Sequence, residues 1–205
     1  MNAWYNRGLV YCDRLGHYDN AVADFTQAIA LDSKFARPLY NRGVAYGKLG
    51  QYHKAVADYE TFLKRAPAHA GAHNSLAWLL VISPDAKLRD PDRAVRLAKK
   101  AVHLAPKAGT YWRTLGVAHY RAGDWKAAVA ALDKSVELRA GMDASDRLFL
   151  SMAYRKLGKH DESREAYNQA LQWLEKNEKT LRAVQAEELR RFRNEAEEVL
   201  ELKKK

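Results

Sequence analysis

The sequence predicts an all-α fold: an α-solenoid of five helix pairs closed by one C-terminal capping helix. Two observations carry this. First, Gly109 to Leu138 reads GTYWRTLGVAHYRAGDWKAAVAALDKSVEL, two runs of helical period on either side of a short turn at Ala122-Gly123-Asp124. Trp112, Leu115, Gly116 and His119 fall on one face at steps of three and four, as do Ala128, Leu132 and Ser135 in the second run. Second, the unit recurs. Turns begin at Gly16, Gly50, Gly123 and Gly158, and the small residue five further on is Ala21, Ala55, Ala128 and Ser163, with Ala94 holding that place in one more unit. The successive steps are 34, 39, 34 and 35 residues. A single helix pair is too small to bury its own apolar face, so such units must stack.

Each element can be justified in turn. Mid-helix glycine costs about 1 kcal/mol relative to alanine, so Gly116 implies a neighbouring helix packed against the bare backbone. The first two units echo each other: Tyr5-Asn6-Arg7-Gly8 matches Tyr40-Asn41-Arg42-Gly43, and Ala21-Val22-Ala23-Asp24 matches Ala55-Val56-Ala57-Asp58. Helices are predicted over about 2–15, 18–31, 36–49, 52–65 and 71–82. Eight residues separate Gly8 from Gly16 but seven separate Gly43 from Gly50, so the first unit carries one extra residue before its turn. The third unit has a lengthened connection, residues 83–89, before Asp90-Pro91 restarts a helix with a capping residue and a proline at its first position. The fifth unit is predicted over about 145–157 and 161–174, entered by a longer loop at Gly141-Met142-Asp143.

The last segment, 179–205, is of another kind. Leu181, Val184, Leu189, Phe192, Ala196 and Val199 form one apolar stripe among glutamate, arginine and lysine. Glu187/Arg191, Arg191/Glu195 and Arg193/Glu197 are spaced for pairing one turn apart. A solenoid needs a terminal element with a polar outer face, which this helix supplies.

Trp112-Arg113-Thr114-Leu115-Gly116, with Ala128, Leu132 and Pro106, resembles the W-x-x-L-G, A and P pattern of tetratricopeptide repeats. The resemblance covers roughly residues 3–174 and implies a right-handed solenoid. The expected division is a five-repeat solenoid over 1–178 (repeats about 2–35, 36–69, 70–107, 108–143 and 144–178) and the capping helix over 179–205. From Asn74 through Asp90-Pro91 to Phe192 the chain also resembles the repeat tails of bacterial serine/threonine kinases and related multidomain signalling proteins. That resemblance, with a start at Met1-Asn2-Ala3-Trp4 already inside a repeat, implies a part of a larger signalling protein.

Composition narrows the function classes. A hydrophobic content of 47% is ample for a core, and a single cysteine, Cys12, excludes an internal disulfide framework. No apolar run is long enough to span a membrane, and the start lacks the features of a signal peptide, so a cytoplasmic location is expected. The seven histidines are scattered, and no H-E-x-x-H, G-x-S-x-G or phosphate-cradling glycine loop occurs. His69 and His73 share a spacing but have no cysteine or carboxylate close by in sequence to complete a zinc site. No catalytic residue, metal or cofactor is therefore expected.

The positive charge is concentrated. Residues 36–140 hold 18 Lys and Arg against 8 Asp and Glu, whereas the segments on either side cancel. In tetratricopeptide proteins the first helix of each pair lines the concave surface. That resemblance places Tyr5, Asn6, Tyr40, Asn41, Val44, Lys48, Asn74, Trp78, Arg113, Val117, Tyr120, Arg121 and Arg155 in a peptide groove, with Met152 and Lys156 beside them. Amides and tyrosines can bond a peptide backbone, and the cations favour an acidic partner. The carboxylate clamp of chaperone-binding relatives is absent: Tyr5 and Leu9 stand where its lysine and asparagine would be needed, Gly71 and Ser75 where a lysine and an arginine would be, and only Asn41 matches. The expected function is a non-catalytic scaffold binding a peptide or an acidic protein segment. The alternatives are nucleic-acid binding through repeats two to four and self-assembly through the solenoid ends.

Overall fold

The computed structural model describes residues 2–139, 143–181 and 183–202. Helix α1 (Asn2–Leu9) runs into a π-helical turn (Val10–Leu15) and is followed by α2 (Tyr18–Leu31), α3 (Arg37–Lys48), α4 (Tyr52–Arg65) and α5 (Ala70–Ile82). A 3₁₀ turn (Ala86–Leu88) leads to α6 (Pro91–Leu104). Then come α7 (Gly109–Arg121), α8 (Trp125–Arg139), α9 (Ala144–Lys156), α10 (His160–Asn177), a second 3₁₀ turn (Glu178–Thr180) and α11 (Ala183–Val199). The described residues hold no strand. Packing divides the chain into two compact units, residues 1–104 with three helix pairs and residues 105–205 with two pairs and α11. Helix α11 lies within the second of these units.

The helix pairs close as the spacing predicts. A Cβ built on Gly116 would lie 2.6 Å from Leu132 Cγ, and one on Gly43 would lie 2.8 Å from Tyr59. The small residues opposite, Ala21, Ala55, Ala94, Ala128 and Ser163, are all buried. Gly50, Gly123 and Gly158 take positive φ at the ends of α3, α7 and α9. That lets the next N–H reach back to a carbonyl of the last helical turn, as from Gln51 to Tyr46 at 2.9 Å. In the first pair His17 N–H reaches Tyr11, six residues back instead of five. The extra residue is absorbed as the π turn, which keeps both flanking faces in register.

The longer connection in the third pair folds back rather than looping into solvent. Asp90 N–H donates to Leu80 O at 3.1 Å, and Asp85 caps the 3₁₀ turn by accepting from Lys87 N–H. Asp90 then caps α6, its side chain accepting from Arg93 N–H at 2.9 Å. The matching tetrapeptides also have a purpose. Arg7 grips Asp24 and Arg42 grips Asp58, each through two hydrogen bonds of 2.7–2.8 Å. Arg42 also reaches Thr26 of the preceding pair, at 3.0 Å.

At the entry to α9 a capping box joins Asp143 and Asp146, each side chain accepting from the other's backbone N–H. Asp146 is fully buried and bonded to Arg139 at 2.7 Å. Burial, then the charge of Asp143, pushes its carboxyl up to about 6. For Asp143 burial acts the same way, but Arg113 and Arg139 outweigh it and hold the group below the usual carboxylate range. Gly141 and Met142 of the predicted entry loop lie outside the described residues.

Helix α11 is shorter than the predicted 179–205, and Leu189, Phe192 and Ala196 are its buried stripe. Leu181 and Val199 are half-buried, and the side chain of Val184 lies outside the described set. Of the expected pairs along the helix, Arg193–Glu197 forms at 2.8 Å. Glu195 pairs with Arg121 of α7, and Glu187 with Arg190.

Candidate protein-binding surface

The first helices of the pairs carry every residue assigned to the groove, and the two units treat them differently. In the first unit α1, α3 and the α2–α3 connection enclose an aromatic cleft of about 660 Å³. Tyr5, Tyr40 and Asn41 line it, joined by Phe35, Phe62 and His69. Tyr5 and Phe35 meet edge-on at 5.0 Å between ring centres, and Tyr40 lies 4.9 Å from the His69 ring. Asn41 donates to the Tyr5 hydroxyl at 3.0 Å, fixing an amide and a phenol at the wall. At the rim stand Lys34 and Arg37, both exposed and without an ion pair among the described residues. Further along, Lys48 and Asn6 are exposed, and Val44, Asn74 and Trp78 are half-buried. The side-chain oxygen of Asn74 is buried with no hydrogen-bond partner in the structure.

In the second unit the corresponding face is closed. Val117 and Met152 are fully buried, and Tyr120 is 8% exposed. Tyr120 meets Phe149 of α9 edge-on at 5.6 Å, and Phe149 meets Phe192 of α11 at 4.9 Å. Both terminal nitrogens of Arg121 hold the Glu195 carboxylate, one at 2.6 Å. Arg155 holds Glu201 at 2.8 Å, and Arg113 holds Asp143 at 2.9 Å. The structure thus brings Tyr5, Tyr40 and Asn41 together in one cleft, buries Val117, packs Tyr120 on Phe149 of α9, and pairs Arg121 with Glu195 of α11 and Arg155 with Glu201 just past it. Arg121 holds Glu195 of α11, so its reversal does not report on a groove alone.

Phe35, Phe62 and His69 were not singled out from the sequence. Phe62 follows Tyr59 by one helical step, a spacing that signals a core side chain; its ring also edges the cleft because the connection at 32–36 bends over it. His69 and His73 have local duties: His69 Nδ1 accepts from Ala72 N–H, and His73 Nε2 bonds Pro67 O at 2.9 Å. Cys12 is buried, and burial, then Asp13, pushes its thiol up to about 11. Among the described residues no three His, Cys, Asp or Glu side chains gather to hold a metal ion, and no helix is long and apolar enough to cross a membrane.

Helix pairs packed in succession define a helical-repeat module. Comparison with known families gives its kind. Tetratricopeptide-repeat profiles match residues 14–50, 36–69, 85–145 and 147–177. The chain belongs to the tetratricopeptide-repeat family, and as such it is a protein–protein interaction scaffold.

Among curated proteins, human serine/threonine-protein phosphatase 5 is 41% identical over 68 residues, which is 32% of this chain and 13% of the phosphatase. Mouse tetratricopeptide repeat protein 14 is 29% identical over 68 residues, which is 33% of this chain and 9% of that protein. Among solved structures, MamA residues 41 to the end from Desulfovibrio magneticus RS-1 aligns with a TM-score of 0.72 at 20% identity, over 85% of this chain and 95% of that one. A further MamA crystal structure aligns with a TM-score of 0.66, again at 20% identity, over 80% and 92%. At that identity the likeness concerns the fold alone.

Proposed function

We propose that this chain is a non-catalytic scaffold whose first unit takes a short peptide segment in the α1–α3 cleft. The observation that carries this is the aromatic cleft itself: Tyr5, Phe35, Tyr40 and Phe62 offer apolar area, the bonded Asn41–Tyr5 pair offers fixed polar atoms, and Lys34 and Arg37 stand free at the rim. Few, well-placed polar groups in a mostly apolar concavity are what a specific site needs. The occupant is an apolar or aromatic side chain with a carboxylate next to it in sequence. The acidic character of the partner follows from the rim charges, and Lys48 extends them along the same row of helices.

A random dodecapeptide display library, selected on the wild-type chain and counter-selected on Tyr40→Ala/Arg37→Glu, tests this. Enriched peptides should carry an apolar residue beside Asp or Glu and bind the variant at least tenfold more weakly, with its thermal melt unchanged. Peptides that bind both chains equally would reject the cleft.

A second reading draws on α6. Arg96, Lys99 and Lys100 are exposed and have no ion pair among the described residues. Such a face attracts polyanions, including nucleic acid, without reading sequence. Titration with a random duplex at two salt concentrations distinguishes it: no binding at low salt removes this reading.

A further inference from the structure

We propose that the α7–α9 face of the second unit is a helix-binding groove, occupied in this structure by the chain's own α11, and that it accepts in trans an acidic amphipathic helix from a partner protein built like α11. The geometry of the occupant states the ligand's chemistry. Phe192 inserts edge-on against Phe149, with Leu189 one turn before it and Ala196 one turn after. Glu195, three residues past the phenylalanine, meets the fork of Arg121 on α7. Glu197 accepts from the Tyr167 hydroxyl at 3.0 Å, and Glu201 accepts from Arg155 at 2.8 Å. A phenylalanine anchor at i, apolar residues at i−3 and i+4, and carboxylates at i+3, i+5 and i+9 make the pattern. Between residues 185 and 202 there are six glutamates and three arginines, so the occupant is acidic where the groove is cationic. A helix with spaced anchors lying in an apolar groove is a recurring way for proteins to be recognised.

Two observations mark α11 as an occupant rather than a member of the repeat stack. In the regular pairs the following first helix packs on the preceding second helix, α3 on α2, α5 on α4 and α9 on α8, whereas α11 packs chiefly on α9, itself a first helix. An open cleft of about 540 Å³, lined by Leu171, Leu174, Leu181 and Leu189, also lies between α10 and α11, so α11 rests on α9 without filling the space against α10. Gln185, Ala186 and Glu187 are exposed.

The test uses the full chain and a fluorescein-labelled synthetic peptide of residues 185–202 as the probe. Wild-type chain should bind it weakly, because α11 competes. Chains opened by Phe192→Ala or by Glu195→Arg should bind it at least tenfold more tightly while keeping the helical circular dichroism of the wild type. Adding Arg121→Glu to the Phe192→Ala chain should cost about tenfold, and a peptide carrying Glu195→Arg should recover it. Equal binding by closed and opened chains, or indifference to the charge swap, overturns the proposal. So does loss of the folded signal in both opened chains, since α11 would then be a constituent of the fold. A dimer in sedimentation at the titration concentrations would give the face to a second copy of this chain and overturn a foreign helix as its ligand.

Discussion

The two units are built from the same helix pair and present opposite surfaces. In residues 1–104 Tyr40 lines an open aromatic cleft, and elsewhere on the first helices Lys48 is exposed and Val44 and Trp78 are half-exposed. In residues 105–205 the matching stretch, Val117 to Arg121, is buried or paired, Tyr120 against Phe149 of α9 and Arg121 with Glu195 of α11. One repeat architecture therefore yields an open face and a filled one. Phe149 of α9 and Glu195 of α11 make the difference. What such a face offers a partner cannot be inferred from the lining residues without knowing what already rests on them.

The comparison can be broken most directly at Phe192. Truncating a buried phenylalanine typically costs about 3–5 kcal/mol, here charged to the docking of α11. Hydrogen-exchange protection over residues 185–202 should fall in Phe192→Ala while α1–α5 keep theirs; loss across both units would deny their independence. Next in size is the packing that the units share. Gly43→Val and Gly116→Val each drive a side chain into Tyr59 or Leu132, and overpacking of this kind costs about 1–3 kcal/mol. Both should lower the unfolding midpoint in urea to a similar degree. A variant that melts like wild type would show that its unit does not depend on that contact.

A smaller effect is expected at the open cleft. Tyr40→Ala should weaken a selected acidic peptide about tenfold, about 1.4 kcal/mol, and Val117→Ala should leave that affinity alone; anisotropy titrations decide. The smallest expected effect sharpens the comparison through pH. The folded-state pKa of Asp146 is raised to about 6, above the model-peptide value. Its stabilising contribution is therefore present at low pH and is lost as pH rises from about 4 through 6. Asp146→Asn should flatten that part of the stability profile of the second unit, and denaturant melts at pH 4, 5, 6 and 7 would show an unchanged slope if the carboxyl titrates normally.

Much of this was legible in the chain of letters because the signals are local. Helix spacing placed the pairs, the turn glycines marked where each first helix stops, and Gly116 announced a close neighbour that proves to be Leu132. The extra residue before Gly16 could be counted, and Asp90-Pro91 read as a helix start. These are questions of backbone sterics and of hydrogen bonds a few residues apart, so the sequence by itself determined them. Tyr5, Tyr40 and Asn41 were also visible as first-helix residues, but not the walls that Phe35 and His69 complete. Whether a side chain on a first helix meets solvent or a neighbour was decided only by tertiary structure. Arg121 and Glu195 are 74 residues apart, and nothing in the sequence couples them: Glu195 reads as a partner of Arg191 on its own helix, and Arg121 as a groove cation on a helix without a carboxylate. Burial and pairing belong to the docked helix, because the free energy of a contact depends on which surfaces meet, and helical periodicity says only which way a side chain faces.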